Sequence, residues 1–343
     1  NWHYIAPKLR RETEKYDSLT LPSFFEHRLH DDRGYLRCVS AILSLFFFSF
    51  YISSGMIGMG FLFEIVFNID YHFGIFIAIL IITTYTFIGG YTAIVWTDFF
   101  QGIFLLAVII FVPVYALYSL GDMSTVVAAA REKNISLHLL PDYSPKTLLQ
   151  ALFAAIGWGL GYFGQPHILN KFMGIKNPDE IHKSKYVGMT WHVLSLTFSS
   201  LIGVVGIAYF RQGIANDELL FVEMVRDLLP PLAAGFILCA ILAATISTID
   251  SQILVLSSVI EEDIYSRFFN RNASTKERLF ISRLSVVIIC AIAYLIAFNK
   301  SNTVYGLVLY AWSGLGATFG PILILTLYYK RLTMWGALAG MLS

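Results

Sequence analysis

Apolar residues in this chain do not alternate with polar ones at a period of two, nor do they form narrow helical stripes. They come in runs of about 17 to 30 residues separated by short polar stretches. Coiled at about 1.5 Å per residue, a run of that length spans the ~30 Å hydrocarbon core of a bilayer, whereas a helix of a soluble core needs only one apolar face. The runs fall near 38–67, 73–96, 99–119, 147–163, 187–210, 231–258, 281–298 and 303–329. They predict an all-α polytopic membrane protein with about eight crossings, because helices satisfy every backbone group within one segment. Residues 1–6 read as the tail of an earlier helix, a further apolar run opens near Trp335, and there is no initiator Met, so the expectation is a fragment truncated at both ends.

Basic residues set the orientation. Lys and Arg cluster in 1–37, 164–186, 257–283 and at Lys330 and Arg331, in alternate connections, and this side is expected to be cytoplasmic. The chain then divides into a cytoplasmic stretch 1–37, three helices in 38–119, an extracytoplasmic loop 120–146, five helices in 147–329, and the start of another helix in 330–343.

Composition agrees: of 343 residues, 57% are hydrophobic and 14% charged, about half the charge of a soluble domain. The net charge of +1 carries no information about partners, and no nucleic-acid surface is predicted. Cys38, Cys239 and Cys290 lie in or at the ends of apolar runs without paired spacing, which suggests neither a disulfide framework nor a zinc site.

Three constellations break the apolar pattern. In Gly157-Trp158-Gly159-Leu160-Gly161-Tyr162-Phe163-Gly164-Gln165-Pro166, glycines and a proline cost a helix several kcal/mol, about 1 for each Gly, and predict an unwound segment. Freed backbone groups in a membrane are tolerated where they line a cavity, so this stretch, Gly161 included, is candidate solute-binding backbone. Trp158 and Tyr162, four apart, would share a face as an aromatic wall. Close packing through Gly157 and Gly161 is the structural alternative.

In the run 231–258, helical spacing places Ser247, Thr248, Asp250 and Ser251 within one arc of roughly 160°. Their oxygens suit a small hard cation. A carboxylate in a membrane helix is costly and faces a partner or an aqueous cavity, and no Lys or Arg lies in the middle of any run to pair with Asp250. Asp98 stands between the second and third runs, where it is expected to stabilise a helix start capped by Thr97. A kink is expected in Ala311–Pro321, rich in Gly and holding Pro321. No phosphate-binding loop, zinc-protease motif or nucleophile elbow is present, which leaves an ATP-driven pump domain or a hydrolase without support and points to an ion gradient as the energy source.

The segments Gly157 to Ile168 (GWGLGYFGQPHI), Tyr85 to Gly90 (YTFIGG), Trp96-Thr97-Asp98, Ala240 to Ala244 (AILAA) with Ser247-Thr248, and Gly336 to Gly340 (GALAG) resemble the sodium:solute symporter family along almost the whole chain. The resemblance is closest to its bacterial proline-transporting members. It implies a LeuT-type inverted-repeat helical bundle, with 38–119 as the last three helices of the first repeat and 147–329 as the second. It also implies a multi-pass protein of the bacterial inner membrane, no enzymatic activity, co-transported Na+, and a small solute, foremost L-proline.

By the same resemblance, Ser247, Thr248 and the Ala244 carbonyl are sodium ligands. Trp158, Tyr162 and Pro166 belong to the solute site, Tyr51 is a pocket or gating tyrosine, and Asp98 helps hold an additional sodium. Asp250 and Ser251 depart from the proline symporters, which have serine and cysteine there; the extra carboxylate is expected to make a second cation or proton site. Other solutes (pantothenate, a sugar, another amino acid), a transporter-like sensor module and a channel remain alternatives.

Overall fold

The computed structural model describes residues 1–138, 140, 142–300 and 302–343, and only the backbone of Ile88 to Tyr91 and Ala93. The side chains of the Gly89-Gly90-Tyr91 stretch therefore lie outside the described residues. The elements are α1 (Ala6–Lys15), α2 (Leu21–Arg28), α3 (Tyr35–Phe67), α4 (Tyr71–Leu120), α5 (Met123–Glu132), α6 (Pro145–Gly161), α7 (Pro166–Met173), α8 (Ile181–Tyr209), α9 (Leu220–Leu228), α10 (Pro231–Ser258), α11 (Thr275–Ala297), α12 (Val304–Tyr328) and α13 (Met334–Leu342). Among the described residues there is no strand.

Seven helical stretches are long and apolar enough to cross a membrane: Tyr35–Phe67, Ile94–Leu120, Pro145–Gly164, Pro178–Tyr209, Pro231–Phe269, Thr275–Ala297 and Val304–Tyr328. The shorter apolar helix Tyr71–Phe87 adds to them, and the remainder of the expected span 73–96 includes the residues whose side chains are not described. Run length thus located the elements well. The polar ends are read just as locally: α2 starts with a reciprocal cap in which Ser23 N–H donates to Thr20 Oγ1 and Thr20 N–H donates to Ser23 Oγ, both at 3.1 Å.

One expectation changes. α4 is continuous from Tyr71 to Leu120, so Asp98 sits inside a helix rather than at its start, and the cap assigned to Thr97 does not form. The amides around Asp98 are spent on the helical ladder, which leaves none for a cap to satisfy. Pro321, at which a kink is expected, lies inside α12. The stretches 1–37 and 120–146 hold α1, α2 and α5.

The chain forms two units, Asn1–Ile94 with Ala154–Lys185 and Thr248–Ser343, and Val95–Phe153 with Tyr186–Ser247. In the first, α3 packs on α11 and α12. Phe48, Ile52 and Met56 of α3 are buried, as are Ile289 and Ala293 of α11 and Leu315 and Phe319 of α12. Beyond Ser258 the last helix of this unit's α10 segment winds as a π-helix over Val259–Phe269 and carries Glu261, Glu262 and Asp263.

In the second unit, Val126 and Ala129 of α5 and Ala208 of α8 form a small core, flanked by Leu117, Leu120 and Val204. Lys133 Nζ donates to the carbonyls of Ile207 at 2.9 Å and Phe210 at 2.8 Å, a cation at the negative end of α8.

Candidate functional site

The glycine-rich segment does break, one turn later than its first glycines. α6 holds regular winding through Gly161, Tyr162–Gly164 tightens to a 3-10 turn, Gln165 is extended at φ −92° and ψ 102°, and Pro166 opens α7. Proline suits that first helical position because its missing N–H is not needed there. The extended Gln165 is fully buried, and its Nε2 donates to the carbonyls of Gly161 and Trp312, each at 3.1 Å, so the broken backbone is tied across to α12.

The two readings of the glycines turn out to divide by position. A Cβ on Gly157 or Gly159 would meet nothing within 4 Å. One on Gly161 would collide with Trp312 Nε1, and one on Gly164 would sit 2.5 Å from the Leu315 carbonyl and 2.7 Å from Gly320 N. The close approach is therefore made by Gly161 and Gly164 against Gly316 and Gly320 of α12, not by Gly157 and Gly161.

Trp158 and Tyr162 do share a face, and what they share it with is Trp312. The Trp158 and Trp312 rings lie 5.4 Å apart, those of Tyr162 and Trp312 6.2 Å apart, and Trp312 Nε1 donates to the Trp158 carbonyl at 3.3 Å. Trp158 remains exposed, at 37%, as do its helix neighbours from Leu152 to Leu160. The sequence reading missed Trp312 and Gln165; the glycines flanking Trp312 at 314, 316 and 320 were the available signal.

Tyr51 and Pro166 lie elsewhere in this unit. Tyr51 meets His167 edge-on at 5.8 Å, next to Phe48 at 5.6 Å from the same imidazole. Pro166 lines a small cavity with Ser44, Asn170, Val255 and Ser258, near the end of α10 rather than against Trp158.

On α10 the predicted arc of oxygens is present, because the helix is regular from Pro231 to Ser258. Ser247 Oγ donates to the Ala244 carbonyl at 3.0 Å. That bond uses the hydroxyl proton and leaves the oxygen of Ser247 an acceptor toward a cation. Thr248 is exposed and Ser247 half-buried, while Asp250 and Ser251 are buried at 1% and 4% exposure. The arc therefore has an open half and a closed half. Asp250 Oδ1 lies 2.8 Å from Thr86 Oγ1 of α4. Asp98 belongs to the other unit. Among the described residues no cluster of three or more His, Cys, Asp or Glu able to hold a metal exists.

The sequence model of the sodium:solute symporter family matches residues 1–343. The chain belongs to the sodium:solute symporter family. It is 43% identical to the high-affinity proline transporter PutP of Bacillus subtilis over all of this chain and 72% of that protein. It is 40% identical to the osmoregulated proline transporter OpuE of the same organism, covering 100% of this chain and 70% of the other. It is also 40% identical to sodium/proline symporter 2 of Staphylococcus saprophyticus, covering 100% and 68%.

Among solved structures, a Na+-coupled sialic acid symporter in a substrate-bound outward-open state superposes with a TM-score of 0.77 at 17% identity, over 99% of this chain and 72% of that one. The symporter thus has the LeuT-type helical fold expected from its sequence and is a multi-pass membrane transporter, not an enzyme. Sodium is its co-transported ion.

Proposed function

We propose that this symporter uses the inward sodium gradient of the bacterial cytoplasmic membrane to accumulate L-proline. The carrying observation is the aromatic cluster of Trp158, Tyr162 and Trp312 at a helix break, in a chain 40–43% identical to named proline transporters. Aromatic faces can cover a small saturated ring, and a broken helix offers backbone donors and acceptors to a zwitterion's charged ends.

Sodium, as cargo, is held on α10 by Ser247 Oγ, Thr248 Oγ1 and the Ala244 carbonyl, the open half of the arc. Asp250 and Ser251 in the one unit, and separately Asp98 in the other, are further candidate ion ligands. Coupling then needs only that sodium binds more tightly to the state that also binds solute.

The test is uptake of radiolabelled proline into liposomes holding the full chain, under an inward sodium gradient and under potassium and proton gradients of equal size. Accumulation driven by sodium is expected; accumulation under none of them would overturn the reading. Ser247→Ala and Thr248→Ala should each raise the half-saturating sodium concentration by about tenfold or more, since a polar contact to a charge is worth about 1.5–3 kcal/mol.

Trp158→Ala should act on the other substrate. Loss of its stacking with Trp312, worth about 0.5–1.5 kcal/mol beyond burial, is expected to raise half-saturating proline about three- to tenfold while half-saturating sodium stays put. A matched rise in both would place Trp158 in the scaffold instead.

A further inference from the structure

At the helix break, Gln165 is wholly buried and only half satisfied. Its Nε2 donates to the Gly161 and Trp312 carbonyls, each at 3.1 Å, while its Oε1 has no hydrogen-bond partner. Turning the amide over would not help, because an oxygen in place of Nε2 would face two carbonyl acceptors. The orientation is therefore fixed by its partners. The acceptors beside it are in use: the Gly161 carbonyl by Gln165 itself, the Tyr162 carbonyl by Asn1 Nδ2 at 2.7 Å, and the Gln165 carbonyl by the amides of Ile168 and Leu169, each at 3.0 Å. A buried acceptor without a donor costs free energy and is rare in folded proteins, so it marks a place where something further binds.

That place adjoins the aromatic cluster. Trp312, whose carbonyl holds the amide, is the residue whose ring lies 5.4 Å from Trp158 and 6.2 Å from Tyr162. We propose that Gln165 is a specificity-determining residue of the solute site: its Oε1 receives an N–H of the ammonium end of an amino-acid solute, while its Nε2 keeps the break tied to α12. This rests on the proline reading above and deepens it, since it states which end of the zwitterion lies at the break.

An ammonium suits this acceptor. A hydrogen bond from a charged donor is stronger than one between neutral groups, and stronger again where water is excluded, as it is around a side chain with no exposed surface. The half-buried rings of Tyr162 and Trp312 part to admit the solute, and the amide stays on its two carbonyls. A solute carrying an ether oxygen in place of the ammonium sets acceptor against acceptor and is rejected.

The test compares proline with tetrahydrofuran-2-carboxylate, which keeps the ring and the carboxylate and replaces the amine by oxygen, as competitors for radiolabelled proline on the purified full chain at saturating sodium. Wild type is expected to favour proline by about tenfold or more. Gln165→Met loses both ends of the amide. Loss of the tie to α12 weakens both compounds alike, whereas loss of Oε1 weakens proline alone, so the preference should shrink by about tenfold. An unchanged preference overturns the proposal and leaves Gln165 a brace whose oxygen meets water. Gln165→Glu gives a second readout that does not need the Met variant to fold. It keeps an acceptor oxygen whether ionised or protonated, so its preference should equal or exceed that of wild type, and a smaller one overturns the proposal. Wild type that binds no proline at all would overturn the proline reading and this assignment together, whereas binding with no preference for proline would overturn this assignment alone.

Discussion

Arg37→Ala is expected to destabilise the protein by about 3–5 kcal/mol, the range seen when one member of a buried ionic group is removed and the others are left uncompensated. Arg37 near the start of α3 is buried; its Nε donates to Asp263 Oδ1 at 2.6 Å, its Nη1 to Glu26 Oε2 at 2.9 Å, and its Nη2 to the carbonyl and Oε1 of Glu262 at 3.1 and 3.2 Å. One guanidinium thus joins α2, α3 and the π-helical continuation of α10.

The cost falls unevenly on its partners. Glu26 keeps Arg267 at 2.7 Å, and Glu262 keeps Arg278, which also holds Glu261 at 2.5 Å. Asp263, with no exposed side-chain surface, keeps only the Thr20 hydroxyl at 2.8 Å, and its Oδ2 has no hydrogen-bond partner. Adding Asp263→Asn to Arg37→Ala should therefore recover part of the loss, while Asp263→Asn alone should be harmful. Arg37→Lys should fall between, because an ammonium is a point charge that cannot present the guanidinium fork to four acceptor atoms on three residues. Thermal inactivation of detergent-solubilised protein ranks the variants; equal midpoints for wild type and Arg37→Ala would show the network to be dispensable.

A single methyl group is expected to do comparable damage at Gly164. Its Cβ would press on the Leu315 carbonyl, Gly320 N and Gly316 Cα, the last at 2.8 Å, all of them backbone that no rotamer change can move aside. Gly164→Ala should cost about 1–3 kcal/mol or more and push α12 off the 3-10 turn. That displacement would reach Trp312 and so weaken solute binding as well.

Gly157→Ala and Gly159→Ala make the internal control. They lie in the regular part of α6 with open space at Cβ, and should be neutral or stabilising by up to about 1 kcal/mol. If all three variants unfolded alike, the distinction between a packed glycine and a merely helical one would fail. The comparison is made by the same thermal assay, read beside half-saturating proline.

These contrasts also mark how far the sequence carries. Gly157, Gly159, Gly161 and Gly164 look equivalent in a string of letters, and the string correctly announces a break before Pro166. It cannot say which glycine faces another backbone, since the opposing residues are more than 150 positions away on α12. Trp312 escaped notice for the same reason: its role comes from standing against Trp158, not from its own neighbours in the chain.

What the sequence by itself determined was what depends on a few adjacent turns: helix positions, from the length of apolar runs set against the bilayer; the unwinding of the glycine-rich segment before Pro166; and the arc of oxygens on α10. The Asp98 environment is the exception, because a short polar interruption does not by itself force a helix to end, and α4 continues through it. Only the tertiary structure decided which buried polar groups meet. Thr86 finds Asp250 across 164 positions, and Arg37 finds Asp263 across 226. Such partners are chosen by the packing of whole helices, which must satisfy every polar group they carry out of water, and no local pattern encodes that choice.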